Sequence, residues 1–221
     1  MLPRWLIRLG FHLLYYQMAW TYDFIAWLVS FGQWAAWRRL ALQFLQPGPT
    51  LELAFGTGGL FAELIEAGYR PIGIDLSPYM ARLAGRRLRA KGLAIPLNQA
   101  KAQALPFPSG HFANVIATFP TSYMFDPATL TDVWRVLKPA QNGGAGQLII
   151  VVQGHLRGPW PICSFIDWLY QITGQQDFPD VKPIDVFAQH KFDAHWESVE
   201  QEGASARLLV ARKQPESGHN F

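Results

Sequence analysis

The sequence predicts an α/β fold: a seven-stranded, mostly parallel sheet, doubly wound by helices, with a C-terminal β-hairpin and a hydrophobic N-terminal helical segment. Three observations predict it. Short apolar runs alternate with segments of helical periodicity, the pattern of parallel strands joined by crossover helices. Leu148–Val152 is apolar at every position, as a central strand buried on both faces must be. Phe192–Val199 and Ala204–Lys213 flank Gly203 as the two arms of a hairpin would.

The elements follow in order. N-terminal helices are expected over residues 4–19 and 22–45, and Pro47-Gly48-Pro49 ends them. The first strand is Thr50–Ala54. A helix over residues 59–67 carries Leu60, Phe61, Leu64 and Ile65 on one stripe, and Gly68 stops it. The second strand is Pro71–Asp75. Ser77 caps the next helix and Pro78 fills its first position. That helix runs to Lys91, with Met80, Leu83, Ala84 and Leu88 inward and Arg82, Arg86 and Arg89 on a solvated face. Strands are expected at 94–98 and 112–119. Asp126-Pro127 opens a further helix by the same cap-and-proline device, and Leu130, Val133, Trp134 and Leu137 form its stripe. Another helix is expected at 160–172, and 174–190 reads as irregular. The organisation is then 1–46, hydrophobic helices; 47–213, the α/β domain; and 214–221, a polar tail.

Composition bounds the function. A chain of 221 residues suffices for one domain with a sizeable core. Only 16% of residues are charged, against roughly 25% in an average soluble domain. A net charge of +3 gives no basic footprint for nucleic acid. A single cysteine, Cys163, excludes an intramolecular disulfide and fits a reducing compartment, so a cytoplasmic location is expected. The six histidines show no metal-ligand spacing. No feature specifies an oligomeric state.

Between Leu9 and Trp37 the only formal charge is Asp23. The stretch is long enough to span a bilayer, but Gln17, Thr21, Tyr22, Asp23, Ser30 and Gln33 interrupt it. No small-residue cleavage site follows it, so a signal peptide is not expected. Three readings stay open, one of them a helix that spans the bilayer despite these interruptions. The helices pack on the core as a lid. Alternatively, residues 1–45 make a peripheral contact with the inner face of a membrane, with Trp5, Phe11, Trp20, Trp27 and Trp34 in the interface and Arg4, Arg8, Arg38 and Arg39 near headgroups.

The most informative segment is Glu52-Leu-Ala54-Phe55-Gly56-Thr-Gly58, followed by Asp75 at the end of the second strand. Glycines in a strand-to-helix turn let backbone approach a ligand, and a carboxylate at the next strand end accepts ribose hydroxyls. This arrangement fits an adenosine-containing ligand.

Residues 50–152 resemble the class I S-adenosylmethionine-dependent methyltransferases, particularly the type 11 group that includes quinone-biosynthesis enzymes. Four motifs carry the resemblance, in order: Glu52 to Gly58; Asp75; Ala104-Leu105-Pro106-Phe107-Pro108 followed by Phe112; and Leu137-Lys138-Pro139. It implies a Rossmann-like fold and S-adenosylmethionine as cofactor. By the resemblance, Glu52 lies near the methionine end, and Ala54, Phe55, Gly56 and Gly58 lie under the methionine and ribose. Asp75 takes the ribose hydroxyls, Leu76 meets the adenine, Lys101 and Ala102 border it, and Thr118 closes the site. Three positions depart from the family pattern: Ala54 replaces a glycine, Lys101 an acid and Ala113 an aspartate.

Methyl transfer is an in-line displacement that needs positioning and water exclusion, with a base only for a protonated nucleophile. His155 and His195 are the base candidates. Phe119, Pro120 and Tyr123, with Tyr15 and Tyr22 from the helical lid, are the acceptor-side candidates. Their aromatic character points to a small apolar or aromatic acceptor, quinone-like, polyketide or lipid. Two other classes stay open: a methyltransferase-fold module without catalysis, and a nicotinamide- or flavin-dependent enzyme. For the latter, Ala54 to Gly59 with Asp75 also fits a degraded dinucleotide pattern.

Overall fold

The computed structural model describes residues 27, 30, 32–140, 144–155, 183–201 and 203–215. The expected helices at 4–19 and 160–172 lie outside them.

Seven strands form one sheet: β1 Thr50–Leu53, β2 Pro71–Asp75, β3 Leu97–Gln99, β4 Asn114–Thr118, β5 Gln147–His155, β6 Phe192–Gln201 and β7 Ala204–Lys213. Their order is β3-β2-β1-β4-β5-β7-β6. β1 to β5 pair in parallel, and β7 runs antiparallel between β5 and β6. The order reverses between β1 and β4, so a crevice opens above the carboxyl ends of these two strands.

Alternation along the central strands sends side chains to opposite faces. Val115, Ala117, Leu148 and Ile150 join one core, with Leu130, Val133 and Val136 of α4 (Pro127–Val136) and Phe187 of α5 (Pro183–Gln189). Ile116, Ile149 and Val151 join the other, with Leu60 and Leu64 of α2 (Gly59–Glu66) and Trp37 of α1 (Trp34–Arg39). The helix α3 (Pro78–Ala90) packs beside α2 through Leu88, Phe61 and Ala62.

The caps form as the sequence implies. Ser77 Oγ accepts the Met80 N–H at 3.3 Å, and Asp126 Oδ1 accepts the Ala128 N–H at 2.9 Å. Two segments differ from expectation. The expected helix over 22–45 breaks at Gly32, whose φ of +77° turns the chain before α1, and a 3₁₀ turn at Leu40–Phe44 follows α1. Within 174–190, read as irregular, α5 forms with Pro183 at its first position and Asp185 in its first turn.

The N-terminal elements are part of this core. Trp37, Leu40 and Ala41 are buried. The Trp37 indole lies against Gly154 of β5, where an added Cβ would come within 2.0 Å of the ring. Below the sheet, Asn114 Oδ1 accepts the Gln46 N–H at 2.9 Å while its Nδ2 donates to Gln46 O and Thr50 Oγ1. This ties the segment after α1 to the amino ends of β1 and β4.

Candidate active site

The site grows from the turn after β1. Ala54, Gly56 and Gly58 take left-handed φ values of +51°, +55° and +74°. The turn bends back on itself, and the Gly58 N–H donates to Phe55 O at 2.9 Å. Phe55 points its ring inward over Gly73 of β2, where an added Cβ would lie 2.8 Å from Cδ1. Phe55 therefore offers a ligand its backbone rather than its side chain. Gly59 then opens α2, so free amide groups and the helix dipole face the crevice.

Two carboxylates stand at this turn. Asp75 Oδ2 accepts the Gly56 N–H at 2.9 Å, and Oδ1 accepts the Ser77 N–H at 2.8 Å. Burial pushes the Asp75 carboxyl above its usual range, while the amides of Ser77, Gly56 and Leu76 pull it back down. Each oxygen keeps a further lone pair for a ligand hydroxyl. Glu52 is more deeply buried, and its Oε2 has no hydrogen-bond partner among the described residues. Burial holds its carboxyl well above the usual range; the Arg38 charge opposes this, and Asp75 and Glu63 add to it.

A small cavity of about 50 Å³ lies beside the turn, lined by Glu52, Ala54, Phe55, Gly56, Thr57, Gly59, Leu60, Thr118, Trp34 and Arg38. Thr118 ends β4. Phe119 follows with a left-handed φ of +49°, and its N–H donates to Val151 O at 2.8 Å. Its ring lies 4.0 Å from that of Trp34. Arg38 reaches the cavity from α1, held by Glu63 through Nη2 at 2.9 Å and Nε at 3.2 Å. Its guanidinium covers Gly59, where an added Cβ would lie 2.7 Å from it.

The structure thus brings Glu52, Ala54, Phe55, Gly56 and Thr118 to one cavity, with Gly58 on the same turn and Asp75, at the end of β2, bonded to that turn through Gly56. Leu76 is 51% exposed beyond Asp75. Lys101, exposed, and Ala102, half-buried, follow β3, where the Ala100 N–H donates to Asp75 O at 3.2 Å. Pro120 is half-buried. Tyr123 packs against the core that contains Met124 and Leu130, rather than joining the cavity lining. His155 ends β5 and is exposed. His195 sits on the outermost strand, opposite Val210, with Nε2 3.2 Å from Glu197 Oε1; β7, β5 and β4 stand between it and β1. Tyr15 and Tyr22 lie outside the described residues.

Sequence reasoning missed Trp34 and Arg38 as cavity residues. They come from a helix remote in sequence, and only their conspicuous types marked them. The Ala104–Phe107 motif also has a clear purpose here. Arg135 of α4 donates to Leu105 O at 2.9 Å and Phe107 O at 2.6 Å, which fixes this loop on the helix. Among the described residues there is no side-chain cluster suited to a metal ion, and no helix long and apolar enough to cross a membrane.

Comparison with known proteins agrees with this fold. A family model described as a methyltransferase domain matches residues 50–140. The demethylmenaquinone methyltransferase of Thermus thermophilus is 35% identical over 169 residues, covering 74% of this chain and 72% of that protein. A ubiquinone/menaquinone biosynthesis C-methyltransferase of Shewanella piezotolerans is 31% identical over 62% of this chain; the match spans 56% of its own length. Among solved structures, the fold is shared with the [4+2]-cyclase SpnF (TM-score 0.60, 18% identity, covering 82% of this chain and 81% of SpnF). It is also shared with the geranyl diphosphate C-methyltransferase of Streptomyces coelicolor, solved with S-adenosyl-L-homocysteine (TM-score 0.59, 14% identity, covering 81% of this chain and 78% of that one).

The fold, the family model and the relatives define an enzyme that uses an adenosine-containing cofactor. The chain belongs to the class I S-adenosylmethionine-dependent methyltransferases, in the group that includes the quinone-biosynthesis enzymes. This membership sets aside the nicotinamide and flavin reading and the module without catalysis. The site residues fit the cofactor chemically. A buried carboxyl with an unpartnered oxygen suits a ligand bearing cationic groups, and a carboxylate braced by backbone amides suits a ribose diol.

Proposed function

We propose that the enzyme methylates a small apolar or aromatic acceptor, of the quinone-like, polyketide or lipid class. The observation that carries this reading is the aromatic wall of the cavity. Trp34 lines the same space as Glu52 and Thr118 and lies against Phe119. Such a surface favours a planar, apolar molecule over a polar acid. The relatives point the same way: one is a demethylmenaquinone methyltransferase and another a ubiquinone/menaquinone biosynthesis C-methyltransferase.

When bound, the cofactor would supply an electrophilic methyl group on a sulfonium; the residues of this chain would position it and keep water from it. In our reading, Glu52 balances positive charge at the methionine end. Ala54, Phe55, Gly56 and Gly58 present backbone, and Asp75 takes the ribose hydroxyls. Leu76, Lys101 and Ala102 border the adenine, and Thr118 closes the end of β4. Phe119 and Trp34 exclude water from the acceptor side. His155, on the strand next to β4, is the residue we assign as base for an acceptor that arrives protonated.

We further propose that residues 1–46, with Tyr15 and Tyr22, cover the acceptor side. In this reading the enzyme works in the cytoplasm, and residues 1–45 touch the inner face of a membrane through side chains that the core leaves exposed, Trp27 and Arg39 among them, while Trp34 and Arg38 turn to the cavity. Incubation with labelled cofactor tests the acceptor class. Label should enter lipid extracts containing reduced quinones; methylation of polar small acids alone would overturn the reading. The intact chain should co-sediment with anionic vesicles, and full recovery in the supernatant would remove the membrane contact.

A further inference from the structure

We propose that Arg87 is a positioning residue for the cofactor turn, and that it compensates for the alanine at Ala54. This inference rests on the cofactor site and not on the identity of the acceptor.

Three of the four arginines on α3 that follow its first turn, Arg82, Arg86 and Arg89, are exposed, as the helical pattern predicts. Arg87 turns the other way. Its Nη1 donates to both Thr57 O and Thr57 Oγ1, each at 3.0 Å. Thr57 is buried between Gly56 and Gly58, at the apex of the turn. Ala84, one turn earlier on the same face of α3, presses on Gly58, where an added Cβ would lie 2.8 Å from the Ala84 Cβ. The helix therefore holds the turn by one polar and one steric contact.

The turn needs holding. Gly56 and Gly58 adopt left-handed backbone at little steric cost, whereas Ala54, with φ +51°, does not. A strained residue persists only where its surroundings over-determine it. Here the pins run from Phe55 to Gly58. The Phe55 N–H donates to Ile74 O at 3.3 Å, Gly56 is held by Asp75, Thr57 by Arg87, and Gly58 by Ala84. Arg87 supplies the pin that a substitution can remove without replacing any residue of the turn or its carboxylate. Releasing it lets Ala54 relax out of the left-handed region, and the amides that face the cofactor lose their arrangement.

The test uses Arg87→Met and Arg87→Lys in the full chain, each alone and combined with Ala54→Gly. Calorimetry with S-adenosyl-L-homocysteine and steady-state methyl transfer are the readouts. Arg87→Met should raise the Kd for S-adenosyl-L-homocysteine and the KM for S-adenosylmethionine about tenfold, with kcat nearly unchanged. Arg87→Lys should recover part of the loss. In the Ala54→Gly background the loss should shrink to about threefold or less. In the ligand-free Arg87→Met protein, hydrogen exchange should quicken at Gly56, Thr57 and Gly58 while the β4 and β5 amides keep their protection, which a general loss of stability would not produce. If Arg87→Met does not fold, Thr57→Val removes the hydroxyl acceptor alone and should raise the Kd about twofold to threefold. A Kd unchanged within about twofold, a fall in kcat with KM unchanged, or equal losses in both backgrounds would overturn the proposal. S-adenosyl-L-homocysteine is the product with any acceptor, so these outcomes are independent of the acceptor reading.

Discussion

Glu52 and Asp75 belong to adjacent strands and are both buried, yet their surroundings differ. Asp75 is completed by the fold. Two backbone amides, one from each neighbouring turn, fix its oxygens before any ligand arrives. Glu52 is not. One of its oxygens lacks a partner among the described residues, and burial holds its carboxyl well above the usual range. The difference teaches a division of labour. Asp75 is a rigid anchor whose geometry is set in advance. Glu52 is a buried acid whose charge only Arg38 favours in the ligand-free protein, so a cationic ligand beside it is expected to stabilise it further.

Removing the anchor should have the largest effect. Asp75→Ala deletes the proposed ribose partner and removes the acceptor of the Gly56 and Ser77 amides. Calorimetry should show a loss of about 10–100-fold in affinity for S-adenosylmethionine, roughly 1–3 kcal/mol. Unchanged affinity would mean that the ribose lies elsewhere. Glu52→Gln keeps the shape but removes the ionisable oxygen, so it should cost about tenfold and leave the turn intact. A loss as large as that of Asp75→Ala would erase the distinction between the two acids.

The pH dependence sharpens the comparison further. Both carboxyls have folded-state pKa values above their ordinary ones, so the folded protein keeps protons that the unfolded chain releases. Their contribution to stability is full below the ordinary carboxylate range and is lost as pH rises through the raised values. Thermal melts of the ligand-free protein should therefore decline across that window. The decline should flatten in Glu52→Gln more than in Asp75→Asn, because the upward shift is greater at Glu52.

The smallest effect concerns the turn between the two acids. Ala54→Gly relieves a left-handed alanine, worth roughly 1–2 kcal/mol, but adds freedom to the unfolded chain, worth about 0.4–1 kcal/mol. A net gain of about 0.5–1 kcal/mol is expected in denaturant melts, with no change in the Asp75 contacts. A net loss would mean that the alanine is not strained.

The parts of this site that were legible in the sequence are those built from local chemistry. The glycine turn, Asp75 and the capped helices at Ser77-Pro78 and Asp126-Pro127 each depend on neighbours a few residues away. The hairpin at Gly203 likewise follows from local alternation and a turn residue. What was not legible depends on tertiary approach. Nothing near Arg87 announces that it points at Thr57 while Arg82, Arg86 and Arg89 face water. Trp34 and Arg38 reach the cavity only because Gly32 breaks the preceding segment and Trp37 seats α1 on Gly154. The helix α5 is hidden because proline signals a break as readily as a helix start, and Pro183 occupies the first helical position, as Pro78 and Pro127 do. The sequence shows His195 on the first arm of the closing hairpin, but not that this arm is the edge of the sheet. Strand order, not strand position, separates it from the turn.

The division between anchor and ligand-completed acid is tested most directly by counting protons. S-adenosylmethionine is titrated into the native protein and into Glu52→Gln, on the acid side of neutrality, in two buffers of different ionisation enthalpy. The native protein should release more protons on binding than the variant, because the cationic ligand draws the raised Glu52 pKa back down. Equal release from both proteins would contradict it.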